Sequence, residues 1–375
     1  MDRRKFLAIA GGGVVLAAGG GVASVVTRKP SKALEPWQRA GASYTEPRRR
    51  ALSYAILAPN PHNRQPWLID LSTQDEITLK VDTNRLLPHT DPFNRQITIG
   101  LGCFLEVLRM AAAEDGYRVN QEIFPAGSDP EKLDDRIVAR IRLGKDEAIQ
   151  KDPLFAHVLT RRSLKEPYDL TRPVDSETLR EIEKAAKTTR TIASSHRTSV
   201  DGLRKLTRDA LIVETNTPRT FKESVDLFRI GKAEIEANPD GIDFSGPLFE
   251  TLHLTGQMTR EGTLDTSSSM FAQGRAAVLE NTDTAMAHVW QITRTNTRID
   301  QINAGRDWVR INLAATAAGV GTQPLSQALQ EFPEVEFSLN PSNGKLFILG
   351  HVMTEVDHQE MLYLLRGLPF EIQPE

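Results

Sequence analysis

The loop at residues 58–67, with the sequence APNPHNRQPW, carries side chains suited to binding a heterocyclic ligand. Its prolines make the loop rigid after an apolar helical segment. Side-chain amides offer both hydrogen-bond donors and acceptors to the edge of a heterocycle or to ligand hydroxyl groups. A structural turn with a packed tryptophan is the alternative interpretation. The candidate binding residues in this loop are Pro61, His62, Asn63 and Gln65.

A second string, RRSLKEPY at residues 161–168, suits a phosphate group. The guanidinium groups of Arg161 and Arg162 and the hydroxyl of Ser163 can form strong, charged hydrogen bonds with a phosphate dianion. Lys165 adds a positive charge without the forked geometry of arginine. Taken alone, the string is also typical of a solvated basic loop, so it indicates a phosphate site only together with the segments around it.

A third string, GVGTQPLSQ at residues 319–327, follows an apolar helical segment. Its proline fixes the path of the chain. Taken alone, it is typical of an ordinary helix-to-strand connection. The candidate binding residues here are Gln323, Pro324, Leu325 and Ser326.

Periodic apolar residues predict the elements that position these strings. Helices are predicted where apolar residues recur every three or four positions, and strands where they alternate with polar residues. The predicted helices cover 48–58, 101–112 with a stop at Gly116, a segment capped by Asp175, and 306–318; the predicted strands cover 77–81, 137–143 and 346–352. The polar stretch at 241–274 predicts an inserted, partly irregular segment.

Composition excludes several classes of protein and site. The chain has 375 residues, which favours two domains, and its formal net charge of −3 argues against a general nucleic-acid binder. Its single cysteine, Cys103, excludes a disulfide framework, a thiolate zinc site and an iron–sulfur cluster within one chain. His351 and His358 are not spaced as a helical metal pair, so no metal site is predicted.

The N-terminus is typical of an export signal. Residues 1–7, MDRRKFL, are followed by an apolar, glycine-rich run to about residue 26 and then by Arg28 and Lys29. The paired arginines resemble a twin-arginine signal, which implies the twin-arginine export machinery as a partner and a periplasmic or outer-side location. The apolar run is also close to the length of a membrane anchor. Residues 1–35 are therefore set apart from the fold.

The three strings together resemble the nitroreductase superfamily. The first is similar to its A-P-S-x-x-N-x-Q-P-W signature, with Asn60 in place of the serine. The second is similar to R-R-S-x-R-x-F…P-V, with Lys165 in place of the later arginine. The third is similar to G-L-x-x-x-P-L/I. The resemblance implies bound FMN: the R-R-S segment holds its phosphate, and the third string runs beside the flavin ring.

The order of the strings differs from that of an ordinary nitroreductase chain, where R-R-S precedes N-x-Q-P-W. Here the first half has the N-x-Q-P-W string without an R-R-S string, and the second half has the R-R-S string without N-x-Q-P-W. This arrangement predicts an α+β protein of two nitroreductase-like halves, 36–150 and 151–375. The helical segments Arg95–Tyr117 and Arg306–Gly321 are similar, as a duplication would leave them. The halves would form an intramolecular pseudo-dimer with one composite FMN site, and the second, symmetry-related site would not bind FMN. Because the pseudo-dimer already buries the usual dimer interface, we expect a monomer.

The arrangement resembles the Acg-like FMN-binding oxidoreductases over about residues 46–355. In that branch an inserted segment covers the flavin as a lid, and residues 243–275 are its candidate here. Basic residues near the C-terminus often help to hold the phosphate, which makes Arg366 a candidate.

The resemblance implies an FMN-dependent oxidoreductase that passes electrons to a nitroaromatic, a quinone or a similar acceptor. The flavin carries that chemistry, so no catalytic side chain is named. The small-molecule electron donor stays open, because export makes a supply of NAD(P)H harder to provide. The alternative is a protein that sequesters FMN beneath its lid, and a degenerate fold without flavin is a third possibility.

Overall fold

The computed structural model describes residues 30–42 and 44–338. It confirms the predicted α+β class, with 47% helix, 14% strand and several small sheets. The helices are α1 Glu35–Arg39, α2 Pro47–Ala55, α3 Arg95–Glu114, α4 Ser176–Glu183, α5 Arg197–Asn216, α6 Pro218–Asp226, α7 Gly231–Ala237, α8 Pro247–Leu254, α9 Arg260–Leu264, α10 Ser269–Asp283, α11 Arg298–Ala317 and α12 Pro333–Ser338. The strands are β1 Trp67–Asp70, β2 Glu76–Val81, β3 Tyr117–Ile123, β4 Ile137–Lys145, β5 Arg190–Ser194, β6 Phe228–Ile230, β7 Ile242–Phe244 and β8 His288–Ile292.

The main core lies between α3 and a four-stranded antiparallel sheet of order β1-β2-β4-β3. Alternate residues of the central strands, such as Ile77, Leu79 and Ile141, are completely buried. The strands predicted at 77–81 and 137–143 are thereby confirmed. Helix α3 is long and apolar enough to span a membrane, but 89% of that stretch is buried inside the protein, as in a core helix.

Helices α3 and α11 cross at two glycines. A Cβ atom at Gly102 would collide with the backbone carbonyl of Ile302, and one at Gly305 would collide with that of Ile99. Backbone carbonyls cannot turn away as flexible side chains can, so both positions require a residue without Cβ. The Cys103 thiol also donates to the Gly305 carbonyl, with Sγ at 3.1 Å.

A buried ion network makes a second connection between these helices. Arg310 of α11 lies 3.0 Å from Glu106 of α3 and 2.5 Å from Asp152. All three side chains are almost completely buried. Arg310 also donates through Nε to the carbonyl of Ala185 at 2.7 Å. Breaking such a buried pair leaves an uncompensated charge, so the network resists separation of the helices.

The two central helices share their length and several features at matching positions. Each has 20 residues and begins at a buried arginine, Arg95 in α3 and Arg298 in α11. Each is followed by a glycine with positive φ, Gly116 at 75° and Gly319 at 71°. These pairs, like Gly102 and Gly305, are 203 positions apart.

This correspondence corrects the alignment drawn from sequence, which paired Arg95 with Arg306. The structure begins α11 eight residues earlier than that, at Arg298. The reason is a capping box in which Thr297 and Asp300 exchange side-chain-to-backbone hydrogen bonds. The first turns of α11 contain polar residues, so the apolar periodicity did not reveal where the helix begins.

The strands before the two helices are also arranged alike. Antiparallel β1 and β2 precede α3, and antiparallel β5 and β8 precede α11. Between β5 and β8, however, the chain inserts residues 195–287, which form α5 to α10 and the parallel pair β6 and β7. The insertion is therefore larger than the lid of 243–275 expected from the sequence.

The segment at 241–274, expected from the sequence to be inserted and partly irregular, has more regular structure than its composition suggested. The segment contains β7, α8, α9 and the start of α10. Its polar residues are helix caps: the Thr259 side chain accepts from Gly262 N, and that of Ser268 accepts from Phe271 N. Serine and threonine favour both loops and N-caps, so composition did not distinguish the two.

Other sequence predictions agree with the described residues. The predicted helix at 48–58 is α2, which ends at Ala55, and the predicted helix at 101–112 is part of α3. Asp175 caps α4 by accepting from Thr178 N, as expected. The predicted strand at 346–352, Arg366, the histidine pair near the C-terminus and the signal at 1–29 lie outside the described residues.

Substitution of Gly102 by Ala should lower the free energy of unfolding by about 2–4 kcal/mol, because the new methyl group meets a backbone carbonyl across the helix crossing. Thermal and urea unfolding followed by circular dichroism would measure this. Gly274→Ala is the matched control, since no atom lies within 4 Å of its Cβ position inside α10. The control should gain about 0.5–1 kcal/mol. Equal effects of the two variants would contradict the proposed constraint.

Candidate functional site

The loop between α2 and β1 has a strained backbone. His62, Asn63 and Gln65 have φ values of 48°, 50° and 49°, which are uncommon for residues other than glycine. Such conformations persist only where surrounding contacts hold them, and they concentrate at functional sites. The loop rests on α3 at Gly100, whose Cβ position lies 3.0 Å from the Asn60 Cβ atom.

Asp240 attaches this loop to the inserted region. Its carboxylate lies 2.7 Å from Arg64, 3.3 Å from Arg85 and 2.8 Å from Arg229, and it is 12% exposed. The neighbouring Gly241 N–H donates to the Asn63 carbonyl at 3.1 Å. One carboxylate therefore joins two arginines of the first half to one arginine of the insertion.

The predicted amide pair of the loop has protein partners. The Gln65 Nε2 atom donates to the Pro239 carbonyl at 2.7 Å and to the Asn63 Oδ1 atom at 3.2 Å. The Gln65 backbone N–H donates to Asn60 Oδ1 at 2.7 Å. Asn63 and Gln65 would have to exchange some of these hydrogen bonds to contact a ligand through Gln65 Nε2 or Asn63 Oδ1.

The second and third strings lie side by side. Ser163 and Thr322 form a parallel β-bridge, and Leu164 N donates to the Thr322 carbonyl at 2.8 Å. The Asn312 side chain of α11 donates to Thr322 Oγ1 at 2.8 Å. A Cβ atom at Gly321 would lie 3.0 Å from Leu164 Cδ2, so the two segments are in close contact.

Arg161 presents a buried positive charge at this junction. Its side chain is 8% exposed, and its Nη1 atom has no hydrogen-bond partner among the described residues. Burial lowers the pKa of Arg161 to about 10, which still leaves it charged near neutral pH. No ion pair joins it to an acidic side chain within the part of the chain that the structure describes. An anionic ligand would compensate this charge.

The other basic residues of the string are differently placed. Arg162 is exposed; it donates to the Leu159 carbonyl at 3.0 Å and lies over the Trp37 ring, with its guanidinium carbon 5.1 Å from the ring centroid. Lys165 pairs with Asp243 at 2.8 Å. Since Gly241 bonds to the first loop, the segment 240–243 links that loop to the second string.

The third string contributes one further unsatisfied group. The Gln323 Oε1 atom is buried and has no partner among the described residues. Burial raises the pKa of the nearby Tyr168 to about 12, although the Gln323 backbone N–H opposes the shift. Pro324 is exposed, whereas Leu325 and Ser326 are half-buried before a 3₁₀ turn at Gln327–Leu329.

A buried polar chain meets the first loop and was not predicted from the sequence. His62 Nε2 lies 3.0 Å from Ser224 Oγ of α6, and Ser224 Oγ donates to Glu214 Oε1 of α5 at 3.3 Å. Burial raises the pKa of Glu214 to about 7, against the opposing effects of the Gln330, Ser224 and Gln327 side chains. Burial also lowers the pKa of His62 to about 4.

A sequence signal for Glu214 did exist. It follows buried Ala210 and Leu211 at helical spacing, so an acidic residue occupies the apolar face of α5. A carboxyl group on a buried face needs a partner or a proton, which marks it as unusual. Ser224 gave no such signal, because its role depends on how α6 packs beneath the loop.

The described residues fit the phosphorylated flavin that the resemblance implies. Arg161 supplies an uncompensated guanidinium group, and Ser163 lies beside it with its backbone bridged to Thr322. Gln323 adds a buried amide oxygen that could accept from a heterocycle N–H group.

The chain shows distant, partial similarity to a nitroreductase. It is 36% identical over 80 residues to a protein named "Putative NAD(P)H nitroreductase acg" in Mycobacterium tuberculosis, and 34% identical over 88 residues to the uncharacterised protein Rv3127 of the same organism. These matches cover 21% and 23% of this chain, and 24% and 26% of the relatives. The chain thus matches about a quarter of the length of these curated relatives. Residues 328–372 match the family described as the CdsD PD1 domain.

The raised pKa of Glu214 predicts a dependence of stability on pH. The unfolded carboxyl titrates near pH 4.5 and the folded one near pH 7, so its contribution is complete below pH 4.5 and is lost as the pH rises to 7. The Glu214→Gln variant has no carboxyl group to titrate at this position, so its free energy of unfolding does not show this loss. The free energy of unfolding of the variant relative to the native protein should therefore increase by about 3 kcal/mol between pH 4.5 and 7.5. Urea unfolding at several pH values measures the difference, and a pH-independent difference would refute the assignment.

Proposed function

We propose that this protein is an FMN-dependent oxidoreductase of the nitroreductase type, acting on a nitroaromatic, a quinone or a similar conjugated acceptor. The observation that carries the proposal is the buried Arg161 guanidinium, which pairs with no acidic side chain of residues 30–42 and 44–338, beside the bridge between Ser163 and Thr322. The partial similarity to a nitroreductase supports the same conclusion.

In this proposal each motif has a separate role. Arg161, Arg162 and Ser163 hold the phosphate, with Arg366 as a further candidate. The segment at 323–326 would contact the isoalloxazine ring, and the loop at 61–65 would close the site from the first half. FMN, when bound, supplies the exchange of a hydride or of single electrons. The chain's own residues bind and orient it and exclude water.

The correspondence of α3 and α11 supports an origin in two fused halves. The reciprocal position, where the segment before β5 approaches α11, contains a cleft of about 650 Å³. Arg310 and Lys187 line that cleft together with Asp152, and no amide pair like that of Asn63 and Gln65 is present among its lining residues. The lack of such an amide pair in the cleft lining supports one flavin for each chain and a monomeric protein.

Sequestration of FMN is the second candidate, and the inserted region favours it. Asp240 and Asp243 bind the insertion to both the first loop and Lys165, so the insertion contacts both the first and the second string and, as a lid, would cover the junction between them. A covering layer would restrict access of a hydride donor. The proposed export by the twin-arginine pathway, to the periplasm or to an outer-side anchor, fits either candidate, because that pathway carries folded proteins.

The visible spectrum of the purified chain separates these candidates. A yellow protein that bleaches when NADPH is added without oxygen would support an oxidoreductase. A yellow protein that bleaches only with dithionite would favour sequestration or another donor. A colourless protein that takes up no added FMN would overturn the proposal.

Arg161→Met should have opposite effects on stability and on binding. It removes a buried charge whose Nη1 atom has no hydrogen-bond partner in the described part of the chain, so the flavin-free protein should gain about 1–3 kcal/mol in the free energy of unfolding. FMN affinity should fall about 10- to 100-fold, because a charged hydrogen bond to phosphate is lost.

Arg172→Met is the matched control, since Arg172 is exposed and pairs only locally with Asp169. Its stability and FMN affinity should stay as in the native protein. Flavin fluorescence quenching and urea unfolding provide the two measurements. An Arg161→Met protein that still binds FMN with native affinity would exclude Arg161 from the phosphate site.

A further inference from the structure

Three side chains from different segments form one buried hydrogen-bonded chain. His62 belongs to the loop before β1, Ser224 to α6 and Glu214 to α5. The two links are 3.0 Å from His62 Nε2 to Ser224 Oγ and 3.3 Å from Ser224 Oγ to Glu214 Oε1. Both Ser224 and Glu214 are less than 10% exposed, which isolates the chain from bulk water.

The ends of this chain each have one free position. His62 Nδ1 is buried and has no partner among the described residues, and the same holds for Glu214 Oε2. Because no group donates a hydrogen bond to Glu214 Oε2 among the described residues, the negative charge of a carboxylate would be poorly stabilised there. This favours the protonated acid, which can also donate a hydrogen bond. The chain therefore has one end suited to store a proton and another suited to release it.

We propose that Glu214, Ser224 and His62 form a proton relay that supplies a proton to the acceptor during its reduction. This inference rests on the proposed oxidoreductase function and adds side chains that handle protons to it. Reduction of a quinone or nitro group by two electrons requires protons as well as electrons, and a hydroxyl between an acid and an imidazole can conduct them.

The relay has two states that differ by one proton. In the loaded state, protonated Glu214 donates to Ser224 Oγ, Ser224 donates to His62 Nε2, and Nδ1 carries the second imidazole proton. The bound cofactor would supply the hydride to the acceptor, and His62 Nδ1–H gives the acceptor its proton. The Ser224 proton then moves to Nε2, and the Glu214 proton moves to Ser224. The result is a Glu214 carboxylate, an intact Ser224 hydroxyl and neutral His62 with the proton on Nε2.

Each hydrogen bond is preserved in the spent state with its direction reversed. His62 Nε2–H now donates to Ser224 Oγ, and Ser224 donates to Glu214 Oε1. No side chain has to rotate. After the product leaves, a proton taken up from solvent at His62 Nδ1 restores the loaded state by the same transfers in reverse. The strained loop backbone, with φ of 48° at His62, holds the imidazole in the position that this exchange requires.

The charged groups around the relay are few. Glu223 of α6 acts on both His62 and Glu214, and Arg64 of the loop acts on His62. The Glu223 carboxylate is held by the backbone N–H groups of His89 and Thr90 at 3.0 and 2.8 Å. Gln327 and Gln330 face Glu214 from the segment after the third string and are neutral. Glu214 is thus the member whose charge changes near neutral pH.

Nitrogen-15 NMR of histidine-labelled protein tests the relay without flavin or turnover. The His62 signal, assigned by its loss in His62→Gln, should change from the Nδ1–H to the Nε2–H tautomer as the pH rises, with a midpoint near pH 7. In Glu214→Gln the tautomer should be independent of pH between 5.5 and 8.5. Ser224→Ala cuts the chain and should abolish the change as well, which keeps the test decisive if one variant does not fold.

Kinetics of the FMN-loaded protein provide the second measurement. Reoxidation of the photoreduced protein by 1,4-benzoquinone, which takes up protons, should slow about tenfold or more in Glu214→Gln. Reoxidation by ferricyanide, which takes electrons alone, should stay at the native rate. Asp209→Asn is the matched control, because Asp209 lies on the same helix and pairs with Lys205 on the surface.

The outcomes separate the relay from the proposed function. A colourless protein with a pH-dependent His62 tautomer would overturn the function while leaving the proton chain in place. A yellow, active protein whose His62 tautomer is constant from pH 5.5 to 8.5 would overturn the relay alone. Equal slowing with benzoquinone and ferricyanide would also overturn it, since that pattern means a structural effect.

Discussion

The close approach of α3 and α11 is the constraint on which the described structure depends. At Gly102 and Gly305 each backbone lies against a carbonyl of the other helix, a distance that no side chain permits. The approach brings Glu106 into contact with Arg310 and packs residues of α11 such as Val309 and Leu313 into the core beneath the first sheet. The first residue of each helix connects the helix pair to a neighbouring segment. Arg95 donates to the Leu329 carbonyl, and Arg298 donates to the Asp129 carbonyl at 3.0 Å.

The candidate site is held by charge rather than by apolar packing. The Asp240 carboxylate serves three guanidinium groups, and Lys165 binds Asp243, three residues after Asp240. Arg85 also pairs with Asp82 at 3.3 Å. The three arginines still outnumber the carboxylates of Asp240 and Asp82, so the cluster is sensitive to any change in Asp240. The same segment therefore fixes the first loop and the second string relative to each other, although the two are about 100 residues apart in the chain.

Much of the fold could be predicted where apolar periodicity is strong. The strand at 77–81 and the N-cap at Asp175 are local signals, and both are present. The start of α11 and the helices within 241–274 were missed, because capping residues such as Thr297 and Ser268 have the composition of loops. Of the site, the nearness of the R-R-S segment to the third string was implied by resemblance, and Glu214 had a local signal in its place on the apolar face of α5. Asp240 and the partners of Glu214 depend on tertiary packing that no local pattern encodes.

The bridge between Ser163 and Thr322 has a consequence for how the protein is made. It joins residues 159 positions apart, and the loop at 61–65 precedes it by another hundred. Contacts of such sequence separation form late, because loop closure must come before them. During synthesis from the N-terminus, the first sheet can fold while the second string still lacks its partner strand. Any ligand held by all three strings can be captured only after most of the chain has left the ribosome.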